Sequence, residues 1–469
     1  MTTELQNRIE SGDLRFLDGL VLLGTIASQR WFGGKSRDVL DARVLDAGVA
    51  PGGPPILAFA IVEVRYGLQT HDLYHLPLGF RRSDDGWEQE SVVAETDGWI
   101  VYDAIADREL ACRIVELIRD GEPLDLGAAT IVFSGSDALP DEIETVRPMG
   151  VEQSNSSLVL DERLALKLYR RIEPGMNPEL ELLRFLTSRD FPHVAALEGY
   201  VSYQGRPLEA TLAILQRFIP SRGDGWEVAL DTLASDPGWL PARARRLGEV
   251  TAALHNALAS DPTDPHFAPE EPSAESLALL SASIDEEIEN VFAALPDIET
   301  LAPVAGRGEE VRDRLRTLAH IGQVGKVIRH HGDYHLGQAL WTDEEDWLIL
   351  DFEGEPARSL SERRRKRSPL RDVAGMLRSF AYAASASMIQ RGVEPPQGWE
   401  EECRSEFLAG YLADVELALL PPGEQAIGRL LMIFELEKAV YELRYELGNR
   451  PDWVSIPVAG ILRMLEADQ

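Results

Sequence analysis

The stretch His331–Glu355, HGDYHLGQALWTDEEDWLILDFEGE, constrains this chain more than any other, because it interrupts a mainly helical C-terminal region with residues that do not continue a helix. Gly332 and Gly337 argue against a helical turn, and Lys326–Phe352 reads as strand-like. The apolar run ending at Leu350 delivers Asp351 at a strand end; Asp333 stands eighteen residues earlier in a loop, and Gln338 five residues after Asp333. His331 and His335 have an i, i+4 spacing that is metal-like only on a helix, so His335 is left a loop-bracing or substrate-side role. Any fold for this chain must therefore set a loop and short strands among helices.

Three regions surround this segment, and a length of 469 residues is consistent with two or three domains. In residues 1–125, Ile56–Arg65 and His71–Phe80 read as a β-hairpin, and Asp107–Arg119 as an amphipathic helix with Leu110, Ile114 and Leu117 on one face. Gly121–Asp125 reads as a linker. Residues 126–220 offer the strands Thr130–Phe133, Ser157–Leu160, Leu164–Tyr169 and Thr211–Phe218 with one helix, Asn177–Leu186. In residues 221–469, helical periodicity marks Ala242–Ala259, Ser276–Leu295, Glu309–His320, Val373–Ile389 and Gly428–Leu447.

Charge narrows the partners. With 79 acidic against 46 basic residues, the net charge is −33, which disfavours nucleic acid and anionic membrane. No apolar run approaches the ~20 residues that span a bilayer. The N-terminus lacks the basic-then-apolar order of a signal peptide, and Cys112 and Cys403 are the only cysteines. A cytoplasmic protein is expected. The run Arg363–Arg367, RRRKR, is read as a solvated face pairing with local carboxylates. Near the N-terminus, Arg30–Arg37 contains GGKS, but Gln29 stands where a P-loop needs its first glycine. An aromatic anchor beside a tight turn is expected instead, with Lys35 and Arg37 left open as contacts from this module to a nucleotide.

The residue types around Asp333 suit phosphoryl transfer to an alcohol. That chemistry needs a carboxylate to orient the hydroxyl and take its proton, a role that fits Asp333. It also needs hard oxygen ligands for Mg²⁺, which Gln338 and Asp351 offer. Protein kinases place a catalytic-loop Asp, an amide five residues on and a metal-binding Asp after a strand in this order. Glu353 departs from that pattern by standing at its glycine position. Lys167, alone in the apolar strand LALKLY, needs a partner if buried. It suits the α/β-phosphates of ATP, with Glu181 slightly preferred to Glu179 as its carboxylate. The segment GVEQSNSSLVL offers backbone N–H groups and the hydroxyls of Ser154, Ser156 and Ser157 to phosphate. Gln216 and Phe218 stand where a hinge would receive the adenine edge. Asp372 opens a helix and is expected to accept from the backbone near His331.

The segments RWFGGKSR, GVEQSNSS, LKLYRRIEPGMNPELELLRFL, GDGW, HGDYHLGQ, DFEGEPARSLSERRRKRSPLRDVAGMLRSF and YELRYELGNRPDW together resemble the maltokinase family over most of the chain. The resemblance implies an α+β fold: a bilobal protein-kinase-like core (small β-rich lobe, large α-helical lobe) behind an additional N-terminal α+β cap. It implies conversion of maltose to maltose 1-phosphate with ATP and Mg²⁺, with Asp333 as base and Asp351 as metal ligand. It further implies a place in trehalose-to-glucan metabolism, association with other enzymes of that metabolism, and a monomer or homodimer. Maltokinases also occur fused to trehalose synthase, for which this chain is expected to have no room.

For the sugar, Glu442, Tyr445, Arg450 and Trp453 combine an acceptor, a donor and aromatic faces, and His335 joins them as a substrate-side residue. Against this stand helix packing for the tyrosines and a surface ion pair for Arg450. Some relatives with the same cap and core phosphorylate glucosamine, so an amino-sugar kinase is the alternative. A silent nucleotide-binding pseudokinase is the alternative of another class, and the presence of Lys167, Asp333, Gln338 and Asp351 weighs against it.

Overall fold

The computed structural model describes residues 2–67, 70–85, 91–150, 155–206, 208–318 and 324–466. They fall into two compact units: Met1–Arg184 with Ala195–Ile219, and Phe185–Val194 with Pro220–Gln469.

The first unit is built on two antiparallel sheets. One runs in the order Val39–Val49, Ile56–Tyr66, His71–Arg82, Trp99–Asp103, Val92–Thr96, with Arg171–Ile172 also paired to His71–Arg82. The expected hairpin is its centre, in the register Ile56↔Phe80. Ile56–Tyr66 is apolar at almost every position because both faces are covered. Ala58, Ala60, Val62 and Val64 meet Leu5, Ile9, Leu22 and Ile26 of the helices Thr2–Glu10 and Leu20–Ser28. Leu57, Phe59 and Ile61 point the other way, into a core shared with the helix Arg108–Asp120 and with Ile131, Phe133, Leu158 and Leu215 of the second sheet.

That second sheet runs Leu124–Asp125, Thr130–Gly135, Leu197–Gln204, Glu209–Arg217, Leu164–Tyr169, Asn155–Leu160, Val146–Pro148. The helix Arg108–Asp120 is capped by the Asp107 side chain at one end and by Gly121, with φ +70°, at the other. The segment read as a linker instead ends in a short edge strand paired to Thr130–Gly135. Trp31 and Phe32 of RWFGGKSR are buried against Tyr74, while Arg37 lies over Tyr66 and bridges to Asp72. The glycines there form a turn with an aromatic anchor.

The second unit is helical: Gly225–Leu233, Pro241–Leu258, Ala274–Ala293, Gly308–Leu318, Leu360–Arg363, Leu370–Arg391, Trp399–Asp414, Glu424–Asn449 and Ser455–Glu466. All five helices expected here are present, Glu309–His320 within its described residues. Pro241–Leu258 and Trp399–Asp414 pack with their backbones in close approach: a Cβ on Gly248 would strike Phe407, and one on Gly410 would strike Arg245. One three-stranded sheet interrupts the helices, Ser221–Asp224, Ala339–Thr342 and Trp347–Ile349. No described helix is long and apolar enough to cross a membrane. The basic run is not a solvated face throughout. Lys366 is nearly buried and donates to the carbonyls of Pro265 and Ala268 and to Glu270, while Arg363 donates to the Glu353 carbonyl. It clasps neighbouring loops.

Candidate active site

The loop carrying Asp333 is pinned by a buried carboxylate. Asp372, in the first turn of Leu370–Arg391, is 2% exposed. It accepts from the backbone N–H of His331 at 2.8 Å and of Gly332 at 2.9 Å, and lies 3.2 Å from His255 Nε2. Burial opposes its charge, but His330, His255 and His331 outweigh burial and hold its pKa well below the usual carboxylate range. Gly332 turns the loop with φ +88°, a conformation open to glycine. His331 Nε2 lies 2.8 Å from the Leu350 carbonyl, and its Nδ1 accepts from the Asp333 N–H at 3.4 Å. Its ring packs on Phe352, which is buried. One histidine thus ties the Asp333 loop to the strand end that carries Asp351.

Asp333 is half-buried and receives the Lys438 ammonium on Oδ1 at 3.1 Å. Burial pushes its pKa up; Lys438, His335 and His331 push it down and prevail. Lys438 projects from Glu424–Asn449, and Asp333, Glu355 and Glu442 keep it firmly charged against its own burial. Nothing in the sequence reading pointed to Lys438. The available signal was a lysine spaced i, i+4 and i, i+3 from the aromatic residues Phe434 and Tyr441, on one face of the helix.

Gln338 and Asp351 meet directly, Nε2 to Oδ2 at 3.1 Å, and the Gln338 carbonyl accepts from Leu350 N–H at 2.9 Å. Asp351 has φ +58°, uncommon for a non-glycine residue and found at strained functional turns. An amide and a carboxylate side by side supply hard oxygen donors that fit Mg²⁺. His335 Nδ1 accepts from the Gly337 N–H at 3.1 Å, capping the turn Leu336–Gln338. It braces the loop through that nitrogen.

In the first unit, Lys167 donates to Glu179 Oε2 at 2.8 Å, and Tyr169 hydroxyl donates to the same oxygen at 2.7 Å. The partner at this ion pair is Glu179, correcting the preference for Glu181. The helix begins at Pro178, and Asn177 Oδ1 accepts from the Glu179 N–H at 2.8 Å, which turns the buried Glu179 toward the strand. Ser157 lies directly across from Lys167 in the ladder. Ser156 points to the other face, where it accepts from Arg170 Nε at 2.8 Å, and Arg170 also reaches Asp103. Ser156 is thus engaged by a cap-side network. Ser154 lies outside the described residues. Gln216 sits within the ladder opposite Ala165, and the Phe218 N–H is donated to the Arg163 carbonyl at 2.8 Å. The Phe218 N–H is therefore already taken.

The residues expected at the sugar are engaged otherwise. Glu442 is buried and takes Arg378 Nη2 at 2.6 Å and Nε at 3.1 Å. Arg450 forks onto Glu446 at 2.9 and 2.7 Å. Trp453 is 8% exposed in a cluster with Leu230, Ala386 and Ile456. Tyr445 is exposed and stacks on Tyr441. A cavity does open at Asp333, and its walls include Glu355, Arg371, Phe434, Glu437, Lys438 and Tyr441. The helix Glu424–Asn449 lines this cavity with Phe434, Glu437, Lys438 and Tyr441, about one turn before Glu442 and Tyr445.

Residues 26–107 match the maltokinase N-terminal cap domain, and residues 145–407 match the phosphotransferase enzyme family. A glucosamine kinase of Streptacidiphilus jiangxiensis is 26% identical over 369 residues, 75% of this chain and 80% of that protein. A glucosamine kinase of Mycolicibacterium smegmatis is 26% identical over 331 residues, 68% of this chain and 79% of that protein. The solved structure of a glucosamine kinase in complex with glucosamine, ADP and inorganic phosphate has a TM-score of 0.68 at 19% identity, covering 94% of this chain and 98% of that one. A second glucosamine kinase crystal form reaches 0.70 at 19% identity, covering 94% and 99%. The shared fold is α+β and kinase-like, with the expected cap.

Proposed function

Because the chain belongs to the phosphotransferase enzyme family, we propose that it transfers the γ-phosphoryl group of ATP to maltose, forming maltose 1-phosphate and ADP. The observation that carries this reading is the hydrogen-bonded frame around Asp333: Asp372 fixes the loop backbone, and His331 ties that loop to Leu350, next to Asp351. In the reaction, Asp333 accepts a hydrogen bond from the acceptor hydroxyl and takes its proton as the O–P bond forms and the β,γ-bridging P–O bond breaks. Gln338 and Asp351 would hold Mg²⁺, which when bound neutralises charge on the phosphates. Lys167, braced by Glu179, supplies a cation for nucleotide phosphate oxygens. The match of residues 26–107 to the maltokinase cap supports maltose as acceptor.

A second reading, glucosamine or another amino sugar as acceptor, is favoured by the two relatives named glucosamine kinase. ADP release with ATP and Mg²⁺, measured against maltose, glucosamine, glucose and an aminoglycoside, separates the two. Maltose is expected to give the highest kcat/KM; release equal to the sugar-free background with every acceptor would refute the phosphotransferase assignment to sugars.

A further inference from the structure

The cavity at Asp333 has a distinctive charge arrangement. Its carboxylates are already engaged: Arg358 pairs with Glu355, Arg371 with Glu437, and Asp372 accepts from the His331 and Gly332 N–H groups. Asp333 is matched by Lys438 at 3.1 Å. The Lys438 ammonium also lies 5.1 Å from the centre of the Tyr441 ring, which forms part of the same wall. Whatever sugar brings its hydroxyl to Asp333 therefore comes up against this ammonium group.

We infer that Lys438 is a positioning and specificity-determining residue, which orients Asp333 toward the acceptor hydroxyl and selects uncharged sugars over amino sugars. The inference rests on Asp333 acting as the base. Three N–H donors on one ammonium can hold Asp333 and still donate to sugar oxygens. A sugar carrying its own ammonium would bring a second cation to a carboxylate that already has one, with the nearby carboxylates held by arginines or, for Asp372, by backbone N–H groups. Like charges at such range disfavour binding, and the half-buried setting screens them less than bulk water does. This is discrimination by repulsion as well as by attraction.

The test uses the full chain with ATP and Mg²⁺ at a pH where the glucosamine amine is protonated. kcat and KM are measured for maltose and glucosamine in wild type, Lys438→Met and Lys438→Arg. Lys438→Met is expected to lower the maltose-to-glucosamine ratio of kcat/KM by about tenfold or more. Lys438→Arg, which keeps the charge, is expected to restore most of that ratio. A structural role alone would slow both sugars equally, so an unchanged ratio overturns the inference while leaving the phosphotransferase reading intact. Wild type that turns over neither sugar overturns this inference, and the phosphotransferase reading falls with it when glucose and an aminoglycoside also give only background release. A second measurement needs no variant: the wild-type ratio of kcat/KM for glucosamine to that for glucose is followed as pH rises through the amine's titration. The ratio cancels ionisations of the enzyme common to both sugars. It is expected to climb as the amine loses its charge, and a flat ratio overturns the inference.

Discussion

At the scale of single residues, the site is a set of charges whose states depend on one another. Asp333 faces His331 and His335 on its own loop and Lys438 from Glu424–Asn449, and shares its cavity with Glu437, Tyr441, Asp372, Glu355 and Arg358, while Glu442 acts on Lys438. Lys438 lowers the Asp333 pKa, so the acid limb of kcat/KM is expected below the ordinary aspartate range. Removing the ammonium in Lys438→Met must shift that limb to higher pH; a limb that stays put would show that Lys438 does not set the charge of Asp333. Asp372→Asn should be damaging for a different reason. An amide oxygen can replace one acceptor, but the amide NH₂ then faces a backbone N–H, leaving a buried donor unmet at a cost of about 1–3 kcal/mol. Lower stability in denaturant unfolding together with a fall in kcat is expected, and wild-type values for both would remove Asp372 from its organising role. Asp333, Gln338, Asp351 and Asp372 were legible because their spacing is local to two short segments. Lys438 was not, since it meets Asp333 from 105 residues away in sequence. The choice between Glu179 and Glu181 depended on where the helix starts, which Asn177 and Pro178 decide through a cap and a first-turn proline.

At the scale of elements, periodicity located those whose burial is one-sided. Arg108–Asp120 shows its buried stripe openly, and so does the hairpin by its length and turn. Trp399–Asp414 was missed: three glutamates open it and Gly410 interrupts it, yet that glycine is what lets it lie against Pro241–Leu258. Leu197–Gln204, LEGYVSYQ, was missed because its polar residues hide a strand lying between two others in its sheet. The glycine argument yields a paired prediction. Gly410→Ala must push two helix backbones apart and is expected to cost about 1–3 kcal/mol of stability. Gly428→Ala, in a helix with open space around it, is expected to be neutral or stabilising by about 0.5–1 kcal/mol. Denaturant midpoints of the two variants test this, and equal midpoints would contradict the close-approach account.

At the scale of the whole molecule, residues expected as a cap and as a β-rich lobe share one core in the first unit. Phe59 and Ile61 of the first sheet, Ile114 and Ile118 of the helix after it, and Ile131 and Phe133 of the second sheet are buried together. A chain lacking residues 1–125 would expose that apolar surface, so it is expected to be insoluble or to bind hydrophobic dyes; a soluble, cooperatively folding product would show that the shared core is dispensable. Sequence pattern marked the cap but could not show that its rear face is also the floor of the next sheet, because a strand buried on both sides has no alternation to read. The account as a whole stands on Asp333 as the proton acceptor. The most direct measurement is maltose-dependent ADP release by Asp333→Asn beside wild type and Asp351→Asn, all at saturating ATP and Mg²⁺. Both variants are expected to fall to the sugar-free background while keeping wild-type unfolding curves, and near-normal turnover by Asp333→Asn would contradict the account.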